Sequence, residues 1–134
     1  MAVVAAGFPS PADDYLEAGV DLNRQLIARP LSTFLLQVSG DSMLADGIHH
    51  GDLLLVDRSL QPQPGRVVVA VLDGAFTLKR LECHAGRLRL QAAHPGYPPL
   101  ELDACSAVQI WGVATHVIHP LGQFPSLYGL NHQR

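Results

Sequence analysis

Residues 66–81 read RVVVAVLDGAFTLKRL, and this stretch decides the fold class. Arg66–Leu72 contains four valines in seven residues, a composition typical of a β-strand. Asp73 and Gly74 follow, and such a pair is favoured where a two-residue hairpin turn needs positive φ at both positions. Phe76–Leu81 follows the turn and is predicted to form the returning strand. The stretch therefore predicts an antiparallel β-hairpin.

The chain on both sides of this hairpin carries further short strands separated by turns. Twelve glycines and ten prolines in 134 residues make turns frequent, and 48% hydrophobic residues are enough for a core. We therefore predict a compact, mostly-β domain of several short strands with one or two short helices. The other predicted strands are Thr33–Val38, Leu53–Asp57, Leu88–Ala92 and Val108–His119, the last bent at Gly112.

Up to two short helices and one isolated helical turn are predicted. One starts at Asp13 or Asp14, runs to about Glu17 and ends at Gly19. A second covers Asp21–Arg29 and is stopped by Pro30, and a single turn covers Ser42–Ala45. The predicted organisation is an arm over residues 1–12, a β domain over 13–119 and a tail over 120–134.

Charge and hydropathy exclude several classes of function. Nine Lys and Arg against twelve Asp and Glu leave a net charge of −3 without a basic stripe, which disfavours direct binding to nucleic acid. The chain lacks an apolar run long enough to span a membrane, and its apolar first residues lack the basic segment of a signal peptide. Cys83 and Cys105 have no metal-ligand spacing and are expected to be reduced thiols. We therefore predict a cytoplasmic protein without a membrane partner.

A serine and a lysine on neighbouring predicted elements suggest nucleophilic catalysis. Ser42 lies in the turn SGDSM that follows a predicted strand, and Lys79 lies 37 residues later on the return strand of the hairpin. A neutral lysine can take the proton of a serine hydroxyl, and burial lowers the lysine pKa. The backbone N–H groups of Asp41 and Ser42 could hold the oxyanion. The alternative is a turn serine and a solvent-facing lysine, each without catalytic function.

The order of these motifs resembles the LexA/UmuD family of self-cleaving serine proteins, from about Gly7 to His119. The resemblance implies a LexA/signal-peptidase-like β fold, with Ser42 as nucleophile, Lys79 as base and a scissile bond between Ala6 and Gly7. Within the family the chain most resembles the UmuD branch. The segments that carry this are Gly7–Pro11, Asp14-Tyr15, Asp21–Asn23 and Gly112-Val113 with His116-Val117.

The resemblance also implies partners. In the UmuD branch, a RecA filament on single-stranded DNA stimulates self-cleavage, and the trimmed homodimer joins the polymerase subunit UmuC in translesion synthesis during the SOS response to DNA damage. The alternative is the C-terminal self-cleaving domain of a LexA-type or phage repressor, a transcription regulator. That interpretation requires a helix-turn-helix domain, whereas six residues precede Gly7. A type I signal peptidase would share the Ser/Lys chemistry but needs a membrane anchor.

The histidines and the C-terminal tail suggest two further functions, a metal site and a peptide that binds another protein. Seven histidines invite a metal site, but the pairs His49-His50 and His116/His119 are each expected to diverge on a strand. We therefore expect no metal and no cofactor. Gln123–Tyr128 (QFPSLY) resembles short peptides that bind the bacterial sliding clamp. The alternative is a tail that folds back onto the β domain.

Overall fold

A computed structural model describes residues 4–8, 19–102 and 108–125. Among these residues one α-helix, one 3₁₀ turn and seven strands form. The helix α1 is Leu22–Leu26 and the 3₁₀ turn is Leu44–Asp46; the strands are β1 Thr33–Gln37, β2 Leu53–Asp57, β3 Val67–Leu72, β4 Ala75–His84, β5 Arg87–Gln91, β6 Leu100–Glu101 and β7 Gln109–Ile118.

The described strands form one antiparallel sheet in the order β1-β2-β7-β3-β4-β5-β6. This confirms the predicted mostly-β class. The hairpin over β3 and β4 turns at Asp73 and Gly74, with φ of 51° and 79°. Its register places Val68 opposite Lys79. Since paired residues point to the same face, the lysine side chain leaves the sheet beside a buried valine.

Three details differ from the sequence expectations. Strand β4 continues to His84, beyond the predicted end at Leu81, because β5 pairs with this extension. The strand β6 was not predicted, because two residues are too short to show alternation of apolar and polar side chains. Among the described residues this strand pairs with β5 alone. The helical turn near the serine begins at Leu44, two residues later than predicted.

Gly112 lies at a close approach between two strands. Its register partner is Val69, and the pairing shifts between Val69 and Ala70. A Cβ built at Gly112 would lie 2.6 Å from Cγ1 of Val56, which is fully buried. Gly112, where the sequence predicted a bend, therefore allows β7 to pack closely against β2. This close approach lies beside the register shift in the pairing of β7 with β3.

The sheet buries side chains on both faces. Neighbouring residues of β3 point to opposite sides, so Val68 and Val69 join different clusters. The larger cluster contains Val68, Ala70, Leu81, Leu90 and Val113; the smaller one contains Leu54, Val56 and Val69, with Trp111 packed against it. Each cluster is small, so the sheet hydrogen bonds and loop contacts carry much of the order.

Helix α1 is shorter than predicted and is capped by Asp21, whose carboxylate accepts a hydrogen bond from the backbone N–H of Asn23 at 3.1 Å. None of the helices in the described ranges has the length and hydropathy that a membrane crossing requires. The predicted helix near Glu17, the prolines of the arm and Cys105 lie outside the described residues. Cys83 is an exposed free thiol.

A buried carboxylate fixes the end of β2. Asp57 is 3% exposed, and its Oδ1 accepts hydrogen bonds from the Ser59 hydroxyl at 2.7 Å, the Ser59 backbone N–H at 2.8 Å and the Ser32 hydroxyl at 2.8 Å. The Ser59 hydroxyl contributes most to a lowering of the Asp57 pKa from 3.8 to about 2, with the Ser59 amide, Ser32 and Arg29 adding to it and burial opposing it. The charged form of this carboxyl therefore stabilises the fold.

We expect the stability of the protein to fall as pH drops from about 4 towards 2. In that window the unfolded chain binds a proton at Asp57 before the folded chain does, so acid favours unfolding. Urea midpoints measured between pH 6 and pH 2 should fall less steeply for Asp57→Asn than for the wild type. Asp73→Asn, at the exposed hairpin turn, should keep the wild-type slope. Equal slopes for Asp57→Asn and the wild type would contradict this assignment.

Candidate active site

Ser42 lies in a loop that several contacts hold in place. The next residue, Met43, is 2% exposed and anchors the loop in the protein interior. The backbone N–H of Ala45 donates to the Ala93 carbonyl at 2.9 Å, and the Gly40 N–H donates to Nδ1 of His50 at 3.0 Å. The half-buried serine is thus presented by a loop that is tied to two other loops.

The structure brings Ser42 and Lys79 together. Nζ of Lys79 lies 3.1 Å from Oγ of Ser42, within hydrogen-bond distance. Lys79 is half-buried on β4, and desolvation lowers its pKa below the ordinary value. It is also the only lysine of the chain, the other eight basic side chains being arginines. Since arginine does not deprotonate in proteins, Lys79 is the one basic side chain able to act as a neutral amine base.

An ion pair holds the serine loop against the strand that carries the lysine. Nη2 and Nε of Arg80 lie 3.0 Å and 3.1 Å from one oxygen of Asp46, which belongs to the 3₁₀ turn after Ser42. Another nitrogen of the Arg80 guanidinium donates to the Gly65 carbonyl. Because Arg80 directly follows Lys79 on β4, this pair links the serine loop to the strand that carries the lysine.

Tyr97 covers the site, and sequence reasoning missed it. Its hydroxyl donates to Oδ1 of Asp41 at 3.1 Å, and its ring centroid lies 5.4 Å from Nζ of Lys79. The hydrogen bond to Asp41, together with the charge of that carboxylate, raises the pKa of Tyr97. His94 places Nε2 3.8 Å from the other oxygen of Asp41. The Asp41 carboxylate therefore contacts the covering loop rather than the dyad.

Ser42 lines an open cleft with a volume of about 320 Å³. Its walls come from the end of β1, the serine loop and the start of β4, and Leu54 and Val69 lie among its apolar lining residues. Strand β1 is at the edge of the sheet, with β2 as its one described partner. A cleft beside an edge strand can accept an extended peptide, because such a peptide can add to the sheet as a further strand.

The other predicted site residues have different positions. The backbone N–H groups of Asp41 and Ser42 make no hydrogen bond to another backbone group within the described residues, so both remain available as donors. Ala6 and Gly7 lie in the described segment 4–8, which is exposed throughout, with Val4 and Phe8 each 90% exposed. This segment is not among the residues that line the cleft.

Comparison with known proteins decides the family. A family model described as Peptidase S24-like matches residues 1–115. The chain belongs to this family. The chain is 46% identical to Protein SamA of Salmonella typhimurium over 114 residues, covering 85% of this chain and 79% of SamA. It is 47% identical to Protein ImpA of Escherichia coli over 114 residues, covering 85% of this chain and 77% of ImpA.

The same comparison relates the chain to repressors. It is 46% identical to LexA repressor 1 of Xanthomonas campestris over 111 residues, which cover 82% of this chain and 54% of that repressor. The resemblance to the LexA/UmuD family, nearest to its UmuD branch, is confirmed. This S24-like protein is accordingly a UmuD-like protein of SOS mutagenesis, and its family is one of self-cleaving serine peptidases.

The pKa of Lys79 can be measured directly, because a lysine-selective ¹³C label gives a single side-chain signal. We expect a titration midpoint below the ordinary lysine value of about 10.4, since burial disfavours the ammonium. The same label in urea-unfolded protein provides the control and should titrate at the ordinary value. A folded-state midpoint equal to or above the unfolded one would show that the site does not desolvate the amine.

Proposed function

We propose that this protein cleaves its own chain between Ala6 and Gly7, with Ser42 as nucleophile and Lys79 as general base. The observation that carries the proposal is the 3.1 Å separation between Nζ of Lys79 and Oγ of Ser42. A serine hydroxyl is a weak nucleophile until an adjacent base removes its proton. The lowered pKa of Lys79 increases the fraction of neutral amine able to do so.

The steps follow from these two groups. Neutral Lys79 accepts the proton of the Ser42 hydroxyl as Oγ attacks the carbonyl carbon of Ala6. The backbone N–H groups of Asp41 and Ser42 donate to the oxyanion that forms. The Lys79 ammonium then returns a proton to the amine of Gly7 as the peptide bond breaks. A water molecule, deprotonated in turn by Lys79, hydrolyses the acyl-enzyme and restores Ser42.

Cleavage requires the segment around Gly7 to enter the cleft. The exposed position of residues 4–8 outside the cleft is that of a substrate segment before docking. We propose that it binds as an extended strand along the edge of β1. A RecA filament on single-stranded DNA would promote cleavage by favouring this docked arrangement, supplying no catalytic group itself.

The trimmed protein is proposed to act as a homodimer and as accessory subunit of a UmuC-like error-prone polymerase. Apolar surface available for such partners surrounds Trp111, whose ring packs 5.4 Å from Phe34 and 5.0 Å from Phe76 between ring centroids. Those two phenylalanines are 44% and 55% exposed. Binding of the tail to a sliding clamp also remains a proposal, since residues 126–128 of the motif lie outside the described residues.

A second candidate is the self-cleaving domain of a LexA-type repressor, favoured by the 46% identity to LexA repressor 1. Both candidates share the cleavage chemistry. They differ in what cleavage does: in the first it promotes association with a UmuC-type subunit, and in the second it ends binding to operator DNA. Pull-down of such a subunit by cleaved and by uncleaved protein distinguishes the two.

We expect self-cleavage to accelerate as pH rises from 7 towards 10, because more Lys79 becomes neutral, and a RecA filament to stimulate it at pH 7. Ser42→Ala and Lys79→Arg should both abolish cleavage. The arginine keeps the positive charge but cannot act as a base. Losing a catalytic nucleophile costs on the order of a million-fold in rate. Intact-mass spectrometry over time measures the result.

A matched control separates these effects from damage to the fold. Ser39→Ala removes a hydroxyl from the same cleft and should still cleave. Wild-type cleavage rates in Lys79→Arg would overturn the assignment of the base.

We expect Gly7→Glu to block cleavage, because a large charged side chain beside the scissile bond crowds the cleft. This change should leave the fold intact, since a Cβ built at Gly7 meets no atom within 4 Å. Gly7→Ala, which adds a single methyl group, should retain measurable cleavage. Mass spectrometry of the products locates the cut. Undiminished cutting of Gly7→Glu would move the scissile bond elsewhere.

A further inference from the structure

Three potential metal ligands meet at one end of the sheet, and none of them lines the Ser42 cleft. Leu53 of β2 pairs with Ile118 of β7, so the residues just outside this pair, Asp52 and His119, become neighbours. His49 reaches the same point from the loop before β2. One ligand atom from each of the three side chains lies within 4.8 Å of the other two.

The contacts around Asp52 leave its charge incompletely matched. Asp52 is 1% exposed; its Oδ1 lies 2.6 Å from Nδ1 of His119, and its Oδ2 accepts the backbone N–H of His49 at 2.9 Å. Within the described part of the chain it makes no ion pair with lysine or arginine. A buried carboxylate is costly unless it is paired and hydrogen-bonded, and the two oxygens of Asp52 rely on one histidine ring and one backbone N–H. Its surroundings therefore favour an added positive charge.

One nitrogen of the cluster has no hydrogen bond. Nδ1 of His49 is buried, without a partner in the described structure, and lies 3.7 Å from Oδ2 of Asp52. The rings of His49 and His119 stack with centroids 4.4 Å apart and an angle of 28° between planes. Both Nδ1 atoms therefore lie near the same carboxylate, and one of them lacks a partner that a metal ion would provide.

We propose that His49, Asp52 and His119 bind one Zn²⁺ ion through two imidazole nitrogens and a carboxylate oxygen. Zinc takes such ligands at about 2.0–2.2 Å in tetrahedral geometry, which places ligand atoms roughly 3.3 Å apart. Nδ1 of His119 lies 2.6 Å from Oδ1 of Asp52 and Nδ1 of His49 lies 3.7 Å from Oδ2, so binding requires the side chains to rotate until both nitrogens face one ion. Exposed His119 leaves room for water as fourth ligand. Imidazole ligands favour zinc over magnesium or calcium, which prefer oxygen.

The ion would join three segments at the entrance to the serine loop. The backbone N–H of Val38 donates to the Asp52 carbonyl at 2.8 Å, and that of Gly51 donates to the Val38 carbonyl at 2.8 Å. Val38 directly precedes the loop that carries Ser42. Zinc bound here stabilises the folded state by mass action, and it does so without entering the cleavage chemistry.

The test uses untagged, chelator-treated protein carrying Ser42→Ala, which keeps the chain intact and makes the result independent of self-cleavage. Calorimetric titration with Zn²⁺ should show one ion per chain, and the melting temperature should rise with zinc concentration. Co²⁺ should give the visible absorption bands of a tetrahedral site. His119→Gln and His49→Gln should each weaken binding by more than the roughly 10–100-fold that loss of an outer-shell partner costs.

His116→Gln is the matched control, because it removes a histidine three residues earlier on β7 whose Nδ1 lies 3.0 Å from Oγ1 of its neighbour Thr115. It should retain wild-type affinity and the cobalt spectrum. If one of the two variants, His49→Gln or His119→Gln, fails to fold, the cobalt spectrum of the other variant still tests whether the histidines bind the metal. Absence of saturable zinc binding, or equal binding in wild type, His49→Gln and His119→Gln, would overturn the proposal and leave a hydrogen-bonded His–Asp–His cluster. Equal loss in His116→Gln would show non-specific binding by surface histidines and would overturn it too.

Discussion

A lysine amine that lies 3.1 Å from a serine hydroxyl, partly withdrawn from water, is the constraint on which the rest of this structure depends. An ammonium in water keeps its proton at neutral pH, so the amine needs partial burial. The sheet provides this by pairing Lys79 with Val68, a fully buried residue. The proposed role as a base also requires access to a substrate, and Lys79 is half-buried rather than fully buried.

The serine depends on the same sheet, although it lies outside the strands. Its loop is held by the burial of Met43, by the backbone bond between Ala45 and Ala93, and by the ion pair between Asp46 and Arg80. The last of these is partly exposed and would be weak as a source of stability. Its contribution is geometric, because it links the serine loop to the residue that follows Lys79.

Strand β2 has a buried carboxylate at each end, and each organises a loop. Asp57 gathers hydroxyl and amide donors from the segments before β1 and after β2, whereas Asp52 gathers two histidines. Buried carboxylates require partners, so these positions fix the loops around them. The Asp52 carbonyl accepts a hydrogen bond from the backbone N–H of Val38, and Val38 directly precedes the serine loop. The histidine cluster is therefore connected to the candidate active site through one backbone contact.

Local patterns were sufficient for most of the strands. The valine-rich β3, the Asp73-Gly74 turn and the buried run of β2 are short-range features, and their bounds agree with the structure within one or two residues. Strand β6 and the extension of β4 could not be predicted, because both exist through pairing with β5 rather than through their own periodicity. The close approach of Gly112 to Val56 likewise depends on which strands become neighbours.

By itself the sequence determined the β class, the identity of the two candidate catalytic residues and the family, since residue order and spacing carry that information along the chain. Only the tertiary structure decided that Tyr97 covers Lys79, that Arg80 braces the serine loop, and that His49 and His119 meet at Asp52. The histidines were expected to diverge because each pair was considered on a single strand. They meet because antiparallel pairing of β2 with β7 brings together residues distant in sequence, and no local pattern encodes that register.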